Sequence, residues 1–183
     1  MKQDNALQVY YDEKLVGTLA MTANRKAAFQ YTDEWLEHGF SISPFSLPLK
    51  KQVFVPTKDY FGGLYGVFAD SLPDNWGRLL LNRLLREHKQ DPDKRTVLDR
   101  LAIVGKSGMG ALTYYPERKF PEQRDNPDLD ELARECQKIL NTEYTDKLDE
   151  LYRLGGTSGG ARPKIMTSIG NEEWIIKFPA HVD

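Results

Sequence analysis

The residues best placed to do chemistry lie in one stretch: Leu154-Gly-Gly-Thr-Ser-Gly-Gly-Ala-Arg-Pro-Lys164-Ile-Met-Thr-Ser-Ile-Gly170-Asn-Glu-Glu-Trp-Ile-Ile-Lys177-Phe-Pro. Gly155, Gly156, Gly159 and Gly160 fall within six residues, more than a helix C-cap needs. A loop of this kind lets backbone N–H groups approach an anion closely, as phosphate cradling requires. Arg162 and Lys164 add positive charge, while Pro163 withholds one N–H. After Lys164 the pattern predicts a strand, a tight turn at Gly170-Asn171-Glu172 and a second strand that carries Lys177 near its end. Alternation puts Trp174 and Ile176 on one face, Ile175 and Lys177 on the other. Flexible amides followed by one ammonium on the returning strand form an arrangement that holds the phosphates of a nucleotide. Each part also has a plainer reading: Gly155 as a helix C-cap, the loop as a linker, Lys177 as a solvent-facing lysine of an ordinary hairpin.

A Walker-type P-loop is excluded, because no Gly-Lys-Ser/Thr opens a helix here. His38, His88 and His181 are isolated, and with the single Cys136 they make no metal-ligand spacing. No Ser-His-Asp order or nucleophile elbow is present. Between residues 78 and 95, Arg78, Arg83, Arg86, Lys89, Lys94 and Arg95 alternate with Glu87, Asp91 and Asp93. That mixture reads as a solvated helix face rather than a nucleic-acid surface. Asp70, Asp74, Trp76 and Arg78 are explained by capping and packing, with Arg78 paired to Asp74 at i, i+4. Glu135 and Glu150 are expected on solvated helix faces, and no acidic partner for Lys177 is assigned.

The elements that must position these residues follow from composition and pattern. The chain has 183 residues, 40% of them hydrophobic and 28% charged, with a net charge of −2, which is ordinary for a soluble globular protein. The single cysteine excludes an intrachain disulfide and suits a reducing compartment. Met-Lys-Gln-Asp-Asn lacks the apolar core of a signal peptide, and no apolar run approaches the ~18 residues of a membrane span. The expectation is a cytoplasmic protein without membrane contact.

Leu7–Tyr11 and Leu15–Met21 read as strands about an Asp12-Glu13-Lys14 turn, followed by Ala27–Tyr31, Phe40–Ser43 and Val53–Val55. Helices begin near residue 71, where Ser71 is the expected cap and an apolar stripe runs from Trp76 to Leu85. Thr96 caps a second helix that ends at Gly105. Gly108–Tyr115 returns to a strand. A third helix holds Leu129 to Leu140, and a fourth runs from Thr145 to Leu154. The fold class is α+β: a small antiparallel sheet with helices, then the start of a further lobe. The expected organisation is residues 1–115, a charged loop at 116–127, and residues 128–183.

Three stretches carry a specific resemblance. They are Phe61-Gly-Gly-Leu-Tyr-Gly-Val-Phe-Ala-Asp-Ser-Leu-Pro-Asp-Asn-Trp-Gly-Arg-Leu-Leu-Leu81, Val104-Gly-Lys-Ser-Gly-Met-Gly-Ala-Leu-Thr-Tyr-Tyr-Pro116, and Gly159-Gly-Ala-Arg-Pro-Lys164 with Trp174-Ile-Ile-Lys-Phe-Pro179. In this order they resemble the N-terminal portion of HipA-type toxin kinases, which are serine/threonine kinases of type II toxin–antitoxin systems. The resemblance implies residues 1–115 as the HipA N-terminal subdomain, then the Gly-rich loop and first hairpin of a kinase-like core. It implies ATP, bound with magnesium in the complete protein, held by Lys177, Gly159, Gly160, Ala161 and Lys164. It implies a phosphorylation that disables ATP binding, at Ser158 or Thr157; a dianion in a phosphate-binding loop would repel ATP. Its implied partners are a HipB-like helix-turn-helix antitoxin, DNA only through that antitoxin, and a protein substrate such as an aminoacyl-tRNA synthetase. The family's catalytic aspartate and magnesium ligands have no counterpart before Asp183, so this chain alone is expected to be inactive. The alternative is a non-enzymatic module that pairs with an antitoxin or a separately encoded kinase lobe.

Overall fold

The computed structural model describes residues 5–120 and 128–180. Most of the charged loop expected at 116–127, and His181, fall outside them. The chain divides into two compact units: residues Met1–Leu72 with Asp93–Arg118, and Pro73–Pro92 with Lys119–Asp183.

The first unit is built on a four-stranded antiparallel sheet. Its strands are β1 (Ala6–Tyr11), β2 (Lys14–Met21), β3 (Ala27–Tyr31) and a later one, Leu112–Tyr115, that lies on the far side of β1. Asp12 and Glu13 both have positive φ (45° and 62°), as a two-residue hairpin loop demands, and Tyr11 pairs with Lys14 across it. The β1–β2 register slips between Val9 and Tyr10, leaving Val16 as an extra residue on β2. That bulge resets the alternation, so Val16 and Leu19 are both buried.

Helix α1 (Asp33–His38) is a single short turn, capped by Thr32, whose hydroxyl accepts from Trp35 N–H. Sequence patterning missed it, and it assigned strands to Phe40–Ser43 and Val53–Val55 that reduce to isolated bridges, Ser43 with Leu47 and Phe29 with Phe54. For the first of these the reason is visible at Tyr31. Its hydroxyl donates to Leu47 O (2.7 Å) and accepts from Ile42 N–H (3.2 Å), so this backbone is satisfied by a side chain instead of a ladder.

A short turn of helix, α2 (Gly66–Ala69), precedes α3 (Asn75–Glu87), which belongs to the second unit. Helix α4 (Val97–Val104) is capped as expected by Thr96, in a full capping box with Asp99, and ends at Gly105. Asp99 is completely buried, with Arg118 Nη2 at 3.7 Å from its other oxygen. β4 (Leu112–Tyr115) closes the sheet against β1. Leu7, Val9, Leu19, Phe29, Phe68, Leu98, Leu101 and Tyr114 form one core. Ser71 does not cap α3; its hydroxyl meets the buried Tyr114 hydroxyl at 2.7 Å.

The second unit packs α3 with α5 (Leu129–Leu140) and α6 (Leu148–Gly155), followed by the hairpin β5 (Lys164–Ile169) and β6 (Glu172–Lys177). α3 and α5 both end in Schellman motifs without glycine. Gln90 N–H returns to Leu85 O with Lys89 at φ 56°, and Glu143 N–H to Lys138 O with Thr142 at φ 63°. Arg83 donates to Ile139 O (2.7 Å) and Glu143 O (3.3 Å), placing a cation on the negative end of α5 instead of on a free basic stripe. The fold is therefore α+β: a four-stranded antiparallel sheet with helices, plus a C-terminal β-hairpin.

Candidate functional site

The Gly-rich loop is held between α3 and the hairpin by contacts that only glycine permits. A Cβ on Gly77 would stand 1.7 Å from Gly156 O, so the backbone of α3 touches the backbone of the loop. A Cβ on Gly155 would stand 1.9 Å from Lys164 O. Gly155 is thus the last helical residue of α6, pressed against β5, and Gly156 takes the C-cap position assigned to Gly155 by sequence.

Three hydrogen bonds fix the tip of the loop. Gly160 N–H donates to Asp74 Oδ2 at 2.5 Å, Trp76 N–H donates to Gly160 O at 3.3 Å, and the Lys164 ammonium donates to Gly159 O. Gly160 has φ +100°, a region that favours glycine. Asp74 occupies the N-cap position of α3, yet its side chain makes no bond to its own helix. The sequence expectation that it pairs with Arg78 does not hold; Arg78 Nη2 reaches Asn75 Oδ1 instead, at 3.4 Å.

Lys164 and Lys177 are directly opposite across the hairpin, with Ile165 opposite Ile176. Directly opposite residues share a face, so the register brings two ammonium-bearing stems to the same side of the sheet beside the loop. Lys164 is only 5% exposed. Burial holds its pKa below the ordinary lysine value, Asp74 pulls it back up, and Lys177 pushes it down again. Lys177 is exposed. Gly159, Gly160 and Ala161 are also exposed, at the loop tip. Ser158 is 1% exposed and its hydroxyl donates to Gly155 O at 2.7 Å, whereas Thr157 is half-buried.

An anion is the ligand class these groups fit: one loop amide, one ammonium beside it and a second on the facing strand. Among the described residues no cluster of three or more His, Cys, Asp or Glu is placed to hold a metal ion. No described helix is long and apolar enough to cross a membrane.

Two acids expected on solvated faces are buried. Glu135 accepts from the Lys138 ammonium and Glu150 from Arg153 Nη2, at 2.7 and 2.6 Å. Burial alone would raise the Glu135 pKa; its bonds to Lys138 and Thr145 overcome this and hold it low. His88 stacks on Phe120 (4.8 Å between centroids) and lies 3.8 Å from Asp149. Asp74 is the one site residue that sequence reasoning set aside. Its only sequence signal is an Asp at a helix start, which capping explains equally well.

Residues 7–115 match the HipA N-terminal domain. That is more than half of the sequence, and the chain belongs to this family. The Gly-rich loop and hairpin follow the matched residues.

Proposed function

We propose that this chain is the N-terminal portion of a HipA-like serine/threonine protein kinase, and that its Gly-rich loop with Lys164 and Lys177 holds the phosphates of MgATP. The observation that carries the reading is the cross-strand pairing of Lys164 with Lys177 beside the loop. Directly opposed like charges cost a sheet roughly 0.2–1 kcal/mol, and a polyphosphate lying across both would convert that cost into binding. In this reading the exposed loop tip, Gly159 to Ala161, faces the phosphates, and Lys177 pairs with them on the returning strand. Magnesium would enter with the nucleotide; none of the described residues is assigned as its ligand. None of the described aspartates is assigned as catalytic base, which in this reading belongs to the complete kinase. Catalysis in the complete kinase rests on positioning and electrostatics.

Regulation by phosphorylation falls on Thr157 or Ser158. The Ser158 hydroxyl is enclosed and already donating, so its modification would require the loop to leave its seat; the Thr157 position is the more accessible. The partners in this reading are a HipB-like antitoxin, DNA through that antitoxin, and a protein substrate such as an aminoacyl-tRNA synthetase.

The experiment is phosphorylation with γ-labelled ATP, on this chain and on the chain extended by its native downstream sequence. Label only in the extended protein, abolished by Lys177→Ala, is the expected result. Label in neither would favour a second reading: a non-enzymatic module that binds an antitoxin or a separate kinase lobe. The observation behind it is the number of large apolar side chains exposed in the first unit, among them Phe40, Phe45, Val53, Tyr60 and Phe61.

A further inference from the structure

The Asp74 carboxylate is bonded to the tip of the Gly-rich loop. Asp at an N-cap ordinarily accepts from the N–H groups of its own first turn. Here it makes no such bond and reaches instead to Gly160 N–H, 86 residues away in sequence. A Cβ on Gly159 would lie 3.5 Å from Asp74 Oδ2, an ordinary contact, so the carboxylate sits beside the loop at this residue as well. Lys164 is close enough for Asp74 to act on its charge. One loop N–H, a donor assigned above to phosphate, is thus taken by a side chain of the protein itself, while the Lys164 ammonium beside it is taken by Gly159 O.

We propose that Asp74 is a built-in rival of the nucleotide's phosphates: its carboxylate occupies the anion position of the Gly-rich loop, and a nucleoside triphosphate binds there only by displacing it. The inference rests on the nucleotide reading of the same loop. A single N–H proton cannot serve a carboxylate and a phosphate oxygen with full strength at once. A carboxylate left in place would also repel the triphosphate from a few ångströms. Trp76 N–H holds the Gly160 carbonyl while Asp74 holds its N–H, so the residue is gripped at both ends by the start of α3. Release of the carboxylate frees one end of that grip, and the loop tip can turn toward a ligand. Asp74 is solvent-exposed, so replacing it leaves the packed interior untouched.

The test is calorimetric titration of the chain with MgATP and, separately, with inorganic triphosphate. It is run on the wild type, Asp74→Asn and Asp74→Ala, each with and without Lys177→Ala, and NMR hydrogen exchange at the Gly160 amide is followed without ligand. Asp74→Asn is expected to tighten both ligands about tenfold, the difference between a charge-assisted and a neutral hydrogen bond to an amide. Asp74→Ala is expected to speed Gly160 exchange while α3 amides keep their protection. Equal or weaker binding by Asp74→Asn would overturn the proposal and make the carboxylate a support for the bound loop. Tighter binding that is indifferent to Lys177→Ala would uphold the rivalry and remove Lys177 from the site. Binding of neither anion by any variant would overturn the rivalry and the nucleotide reading together.

Discussion

Replacing Gly77 by alanine probes the seat of the Gly-rich loop with the smallest possible perturbation. The new methyl would stand 1.7 Å from Gly156 O, 2.8 Å from Gly156 C and 3.0 Å from Pro73 Cβ. An ordinary contact begins near 3.4 Å, so backbone on one side must retreat by about 1.7 Å. Neither side can yield alone. Gly156 N–H is bonded to Tyr152 O at the end of α6, and Trp76 and Asp74 hold Gly160 beyond it. Overpacking of this kind costs typically ~1–3 kcal/mol, and severance of the Trp76–Gly160 bond adds ~0.5–1.5 kcal/mol. Against this, alanine is the better helix former by ~1 kcal/mol. The net expectation is a loss of about 2 kcal/mol, or ~4–8 °C in Tm for a chain of this size. Urea and thermal unfolding monitored by tryptophan fluorescence would read it, with hydrogen exchange at Gly160 reporting the loop. Gly66→Ala serves as the control, because its Cβ would meet nothing nearer than 3.5 Å. A Gly77→Ala protein as stable as the wild type, with Gly160 still protected, would refute the close approach of α3 to the loop.

Other changes test other parts of the structure. Thr142→Gly and Lys89→Gly, each at a positive-φ position closing a helix, should stabilise by ~0.5–1 kcal/mol in urea denaturation. Asp99→Ala removes the capping box and the buried partner of Arg118, and a loss of about 3 kcal/mol is expected in the same assay. The Cys136 thiol is pushed up to about 12, first by burial and then by Glu135. A raised folded-state pKa contributes stability that is full below the unfolded value near 9 and is lost as pH rises toward 12. Stability should therefore fall across that window, less steeply in Cys136→Ala, and a thiol reagent at neutral pH should label Cys136 only on unfolding.

Local chemistry was legible in the sequence; distant chemistry was not. The β1–β3 strands show in their alternation, the Thr96 cap in its spacing to Asp99, α5 in its apolar stripe, and the hairpin in the turn at Gly170. The misses depend on partners far along the chain. Tyr31 takes over the backbone of residues 42 and 47, which leaves the strand expected at Phe40–Ser43 as a bridge. Arg83 finds the end of α5 across 56 residues. Glu135 and Glu150 look solvated because a buried carboxylate needs a cation that periodicity does not reveal. The loop residues were identifiable from glycine density. Asp74 was not, because the group it serves lies at the other end of the chain.

The path of the chain has a consequence for synthesis. It lays down most of the first unit, leaves to make α3, returns for α4 and β4, and only later supplies α5 and α6. α3 therefore emerges from the ribosome with Trp76, Leu80, Leu84 and Leu85 ready for burial but with α6 and the loop not yet made. At ~5–20 residues per second the wait lasts several seconds. During that interval a nascent chain displays an apolar helix. A fragment ended after residue 115, the span the family match defines, would display it permanently.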